Sequence, residues 1–446
     1  MPATLYAADI SATHEYRLQN GLKLIVKEDH RAPVVFSSIW YKVGSSYEPA
    51  GITGISHALE HMMFRGTHQF GPGKLTSLVN SNGGELNAMT STDYTVFFQT
   101  LPADKLALSF QLESDRMTNL LLDKNAFSKE IQVVMEERRM RTEDVPQTLT
   151  LEHFNAQAFI NNPYSHPVVG WMSDLQQMTI ENLRAWYHQW YAPNNAILIV
   201  VGDVNPVKVY TLANQYFGKV PSQSLPVQKK LQEVQALGTR RVQVHIPAKV
   251  PWLIIGYNTP SLTNNAQSID PYILTLIAYL LGGGESSRLN KDLVRGQQIA
   301  ASASSDYDIY NLYSNLFTVS ATPTNNTSIE KLLAAVQQQI QSLQTNLVDT
   351  KELARVKTLI ISAHIYDQDS LMEQAFDLGV PEVTGLSWRE ENQFVNRIKS
   401  ITPEQIRAAA QQYFKPEQMT VGVLDPIISP NAPSTTGDLH GQSAIH

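Results

Sequence analysis

The 446-residue sequence contains no cysteine. Disulfide frameworks, thiolate metal sites and cysteine nucleophiles are therefore excluded, and a thiol-free chain suits an oxidising compartment. Apolar runs are short. None reaches the roughly 18 residues that a membrane helix needs, and Tyr272–Leu281 has the length of a core helix. Charge of either sign is sparse. The net charge of −7 is mild, and basic residues gather only in short clusters such as Arg138-Arg139 and Arg240-Arg241. That argues against nucleic acid as a partner. Gly282-Gly283-Gly284-Glu285-Ser286-Ser287 is glycine-rich but lacks the Gly-Lys-Ser/Thr of a phosphate loop, and reads as a helix-ending turn.

What is present is ordinary globular material, 43% hydrophobic and 17% charged. The length exceeds what one core normally serves, so two domains of about 200 residues are expected. Pro221–Gly238, with Ser, Gln, Pro and two Lys, reads as the linker. The expected domains are then 1–225 and 226–426, with a Pro-, Ser-, Thr- and Gly-rich tail over 427–446 expected to be disordered.

The chemistry gathers in Gly54-Ile55-Ser56-His57-Ala58-Leu59-Glu60-His61-Met62-Met63-Phe64. This stretch reads as an amphipathic helix after a Gly-rich turn. His57 and His61 are one turn apart and project from one face, as two metal ligands must. Glu60 lies beside them, where a carboxylate can handle the proton of a metal-bound water. Ile55, Ala58, Leu59, Met62 and Met63 bury the rest of the helix, and buried polar groups need partners, which a metal supplies. A third protein ligand is expected from Phe127–Met140, where Glu130 and Glu137 stand two helical turns apart on one face.

Glu15–Lys27 is a hairpin with Asn20-Gly21 at its turn, and Val34–Val43 is a strand. Lys74–Asn80 reads as a helix, Glu85–Phe98 as a strand pair and Ala103–Leu121 as a helix. Thr179–Tyr191 is a capped helix, and Ala196–Asp203 a buried strand. His166, in a Pro-bounded loop, reads as structural. Beyond the linker the order repeats: strands at Arg241–Ile246 and Trp252–Asn258, a helix at Pro271–Leu281, then Ala300–Asp308 echoing Met89–Tyr94. A duplicated α+β half is expected, and the second copy of the metal helix carries no ligand. Ser328–Thr345 and Lys351–Leu378 read as long helices, and Pro403–Tyr413 as the last.

His57-x-x-Glu60-His61 followed by Glu137, 76 positions beyond His61, resembles the zinc peptidases of the pitrilysin–insulinase family. The resemblance is closest to short two-domain bacterial peptidases related to the mitochondrial processing peptidase beta subunit. It implies two similar α+β domains, each a mainly antiparallel sheet packed with helices, forming a clamshell. It implies one zinc per chain held by His57, His61 and Glu137, with Glu60 as general base and Glu130 as the supporting carboxylate. The implied activity is endopeptidase cleavage of extended or unfolded chains, which add to the strand near Asn87 and Ala88. Relatives also supply, from the second half, an Arg and a Tyr seven residues later that stabilise the oxyanion. Arg295 matches the first, but Ser302 stands at the second; Tyr307 and Tyr310 are nearby substitutes. A dimer is therefore expected, either with a homologous subunit supplying the Arg/Tyr pair or as a homodimer. The alternative is a non-catalytic or partner-dependent core subunit. Ribosylhomocysteine lyases share His-x-x-Glu-His, but they are much shorter and need a catalytic Cys. Met1–Asp9 lacks the basic region of a signal peptide, yet Leu5-Tyr6-Ala7-Ala8 resembles the end of one. A trimmed export signal would place the protein in the periplasm; the cytoplasm is the alternative.

Overall fold

The computed structural model describes residues 13–229, 231–266 and 268–427. The signal-like start and the tail beyond Ile427 lie outside them. Before the linker the chain runs β1 (Thr13–Arg17), β2 (Lys23–Glu28), β3 (Val34–Tyr41), α1 (Ile55–Met63), α2 (Lys74–Ser81), β4 (Glu85–Thr90) and β5 (Thr95–Pro102). It continues with α3 (Leu106–Thr118), α4 (Lys124–Arg138), α5 (Pro146–Ala158), α6 (Met172–Gln177), α7 (Ile180–Trp190), β6 (Ala196–Gly202) and α8 (Pro206–Phe217). After it come β7 (Arg240–Pro247), β8 (Trp252–Thr259), α9 (Asp270–Gly282), β9 (Ala300–Asp306) and β10 (Asn315–Pro323). The chain closes with α10 (Ile329–Thr345), α11 (Thr350–Asp367), α12 (Leu371–Val383), α13 (Glu391–Ser400), α14 (Pro403–Tyr413) and β11 (Met419–Ile427).

The two sheets carry the duplication. The first has strand order β1-β2-β6-β3-β5-β4, the second β7-β11-β8-β10-β9. Leaving β1 aside, the orders superimpose strand for strand. In each sheet one pair is parallel, β2 with β6 and β7 with β11, and the other pairs are antiparallel. Both are thus mixed sheets in an α+β fold. In each copy a helix, α1 or α9, connects the third strand of the set to the edge strand, β4 or β9.

The compact units are not the sequence halves. Among the described residues, one comprises 13–134, 168–228 and 366–392; the other comprises 135–167, 229–365 and 393–427. The reason is an exchange of helices. In the first unit α12, from the second half, covers one face of the sheet: Ala375, Leu378 and Val383 pack with Phe36, Trp40, Ile197 and Val201. Gly379 lets it approach, since a Cβ there would sit 2.5 Å from the Trp40 ring. On the opposite face Ser109 of α3 donates to Ser37 at 2.9 Å, and Tyr191, just past α7, packs on Tyr41. In the second unit α5, from the first half, does what α12 does in the first: Phe154 and Ala158 pack with Ile254 and Leu316.

One helix expected from sequence is two. Lys351–Leu378 breaks between α11 and α12, where the Ser370 side chain accepts from the Glu373 N–H and caps a new helix. Ser370 competes with the helix backbone for that hydrogen bond, and the chain turns.

Candidate metal centre

The turn before α1 is built for close approach. Gly54 has φ +84°, and a Cβ on it would lie 2.3 Å from the Val169 carbonyl oxygen. Only glycine fits both conditions. Gly54 offers no side-chain cap, and a remote carboxylate replaces one. Glu48 is buried, and its Oε2 accepts from the Gly54 N–H at 2.6 Å while Oε1 accepts from the Ser56 N–H at 2.8 Å. Burial pushes the Glu48 carboxyl up to about 8, against the pull of those two donors. Thr53 adds a second tie, its hydroxyl donating to Asp174 Oδ2 at 2.7 Å. His57, the third residue of the helix, is thus held on a fixed first turn.

The His57 and His61 rings are 4.8 Å apart between centroids and inclined at 77°. Glu137 comes from the last turn of α4, a helix that runs unbroken from Lys124 to Arg138. His57, His61 and Glu137 are all half-buried, and each brings one ligand atom to within 4.8 Å of the others. Two imidazole nitrogens and one carboxylate oxygen form a donor set that suits zinc with an open position. The described residues therefore fit the metal. His166 is not a member of this group.

Glu60 stands outside the three-ligand group, and its Oε2 accepts from the Thr90 hydroxyl at 2.5 Å. Glu130 is only 3% exposed and is ion-paired with Arg65, Nη2 to Oε1 at 2.6 Å and Nε to Oε2. The pair ties α4 to the residue just past α1. One turn beyond Val134, Arg138 forms a second buried fork with Glu152 of α5, at 2.7 and 2.8 Å. Glu137 sits next to that anchor, and its Oε1 is 3.0 Å from Arg141. Glu48, Arg65, Thr90, Arg138 and Glu152 carried no such role in the sequence. Arg138 was visible only as half of a basic cluster; Glu48 meets backbone N–H groups six and eight residues on, and the others meet side chains 14 to 65 positions away.

Asn87 and Ala88 lie on β4, the edge strand of the first sheet, with Asn87 exposed. Arg295 sits in a π-helical turn over Asn290–Gly296, where its Nη2 donates to the Glu285 carbonyl at 2.6 Å. Ser302 is exposed on β9, the edge strand of the second sheet. Tyr307 is buried and its hydroxyl donates to the Pro260 carbonyl at 2.5 Å, which commits it locally. Tyr310 is half-buried in the loop after β9.

Known proteins resemble this chain in sequence and in fold. Residues 23–170 match the family described as Insulinase (Peptidase family M16), and residues 177–360 match the Peptidase M16 inactive domain. The zinc protease PqqE of Helicobacter pylori is 30% identical over 434 residues, which is 95% of either chain. The crystal structure of a protease from Helicobacter pylori superposes with a TM-score of 0.88 at 28% identity, over 93% of this chain and 99% of that one. The periplasmic protease PqqL from Escherichia coli superposes with a TM-score of 0.79 at 20% identity, over 96% of this chain and 50% of that one. By these matches over nearly its whole length, the chain belongs to the insulinase family of peptidases, family M16.

Proposed function

We propose that the chain is a zinc endopeptidase that hydrolyses extended or unfolded polypeptide, holding one zinc through His57, His61 and Glu137. The observation that carries the reading is the convergence of those three donors within 4.8 Å. Relatives named zinc proteases support the choice of metal. Bound there, zinc supplies Lewis acidity and lowers the pKa of water. Glu60 takes the proton from the attacking water on a carboxylate oxygen and returns it to the leaving amine. Glu130 is a positioning group: paired with Arg65, it holds α4 and α1 at a fixed separation. The exposed edge of β4 takes an extended peptide as an added strand, with Asn87 and Ala88 in contact with it. Among the described residues no helix is long and apolar enough to cross a membrane. A periplasmic location is part of the proposal, supported by the absence of cysteine and by PqqL, a periplasmic protease.

A second reading has its own observation. Ser302 stands where relatives carry an oxyanion-binding Tyr, and Tyr307 is committed to Pro260. Arg295 then lacks its companion, and a homologous subunit would supply the Arg/Tyr pair. One experiment tests both readings. The purified chain and its Glu60→Gln variant are assayed on a denatured protein, alone and with an M16 partner that carries Arg and Tyr. The expected result is zinc in both chains, cleavage by the native chain that rises with the partner, and none by Glu60→Gln. Native-rate cleavage by Glu60→Gln overturns the role of Glu60. Full activity of an isolated monomer overturns the partner requirement.

A further inference from the structure

Resting on the reading of Glu60 as the base, the geometry points to Thr90 as its positioning residue. Through Thr90, strand β4 both offers an edge to the peptide and aims the carboxylate that acts on it.

Three observations converge on this residue. Its hydroxyl donates to Glu60 Oε2 at 2.5 Å, and Thr90 is buried. Strand parity fixes the direction. Met89 belongs to the core formed with Trp40 and α12, so Leu86, Ala88 and Thr90 face the other way, the side on which α1 lies. The end of the strand is also braced. The Ser45 N–H donates to Ser91 O at 3.2 Å, the Ser46 N–H to Thr92 O at 2.7 Å, and the Ser46 hydroxyl to Asp93 Oδ1 at 2.8 Å. A Cβ on Gly44 would lie 2.3 Å from the Ser91 carbonyl oxygen.

The same short segment continues to Glu48, which holds the first turn of α1. The turn after Thr90 and the helix bearing Glu60 are therefore fixed to one piece of backbone four residues long. A hydroxyl that donates to Oε2 restricts the rotation of the Glu60 carboxylate and fixes its plane relative to the strand. Residues 87 and 88, on the same strand, are three and two positions away from Thr90. A peptide added along β4 is thereby placed in register with the base by the strand itself.

The test compares Thr90→Val, Thr90→Ala and Thr90→Ser in the full chain, on one peptide substrate, with zinc content measured for each. Thr90→Val keeps the shape and removes the donor, and Thr90→Ala removes it without bulk should Val fold poorly. Loss of a hydrogen bond to a charged group predicts a fall in kcat of about 10-fold or more for both. KM and zinc content should stay at native values, and Thr90→Ser should restore kcat to within about 3-fold. Native kcat in both donorless variants overturns the inference, as does a KM effect without a kcat effect. If Glu60→Gln itself cleaves at the native rate, the reading of the base has failed instead, and the two failures are distinguishable.

Discussion

Replacing Glu48 by Gln should change how stability depends on pH, and the sign can be worked out. Glu48 has an ordinary carboxyl value of 4.5 when unfolded and is pushed up to about 8 in the fold, chiefly by burial. Folding therefore holds a proton that the unfolded chain has released between those values. The contribution of Glu48 is fully present below about pH 4.5, declines as pH rises, and is gone above about pH 8. Within the window the slope approaches about 1.4 kcal/mol per pH unit, and over the whole window the loss amounts to about 4–5 kcal/mol at most. Gln cannot titrate, so this dependence disappears. Gln also offers one acceptor oxygen where Glu48 offers two, and one of the Gly54 and Ser56 N–H groups is left without its partner, at a cost of about 1–3 kcal/mol. At pH 5 the variant should be the less stable protein. Near pH 8 the gap should close or invert. Urea denaturation of the metal-free native chain and of Glu48→Gln, at steps from pH 5 to 9, measures this directly. A stability difference that stays constant across that range would refute the reasoning.

Two further predictions concern the supports of the two sheets. Glu152→Ala removes the carboxylate that forks the buried Arg138 guanidinium and should cost about 3 kcal/mol of stability. Zinc affinity, read by chelator competition, should fall with it because Glu137 is the neighbouring residue; unchanged affinity would dissociate the anchor from the ligand. Gly379→Ala sets two effects against each other in α12. Alanine improves helix propensity by about 1 kcal/mol, but overpacking against the Trp40 ring at 2.5 Å should cost about 1–3 kcal/mol. The net expectation is a lower melting temperature, and a rise would show that the sheet yields.

Features encoded within a few residues were legible in the sequence. Asn20-Gly21 marked a hairpin whose strands pair Arg17 with Lys23, and Thr179 marked a helix closed by a reciprocal cap with Asn182. The spacing of His57, Glu60 and His61 is a property of one helix, and Glu130 and Glu137 of another. Ser370 with Glu373 three residues on is also a local signal, and it was overlooked inside an otherwise helical run. The supports of the site were of another kind. Glu48 acts through backbone N–H groups, which no side-chain pattern announces. Glu152 meets Arg138 across 14 residues of chain, and Arg65 meets Glu130 across 65. Pairings of that range exist only once the fold exists.

The traded helices also bear on inheritance. A duplicated gene can normally shed the copy that loses its function, because the surviving copy still folds. Here the second half carries α12, which seals Trp40 and Phe36 in the first sheet. The first half carries α5, which seals the other sheet in return. Neither copy can be deleted without exposing the core of the survivor. The second copy is therefore free to diverge in sequence, but it is not free to disappear.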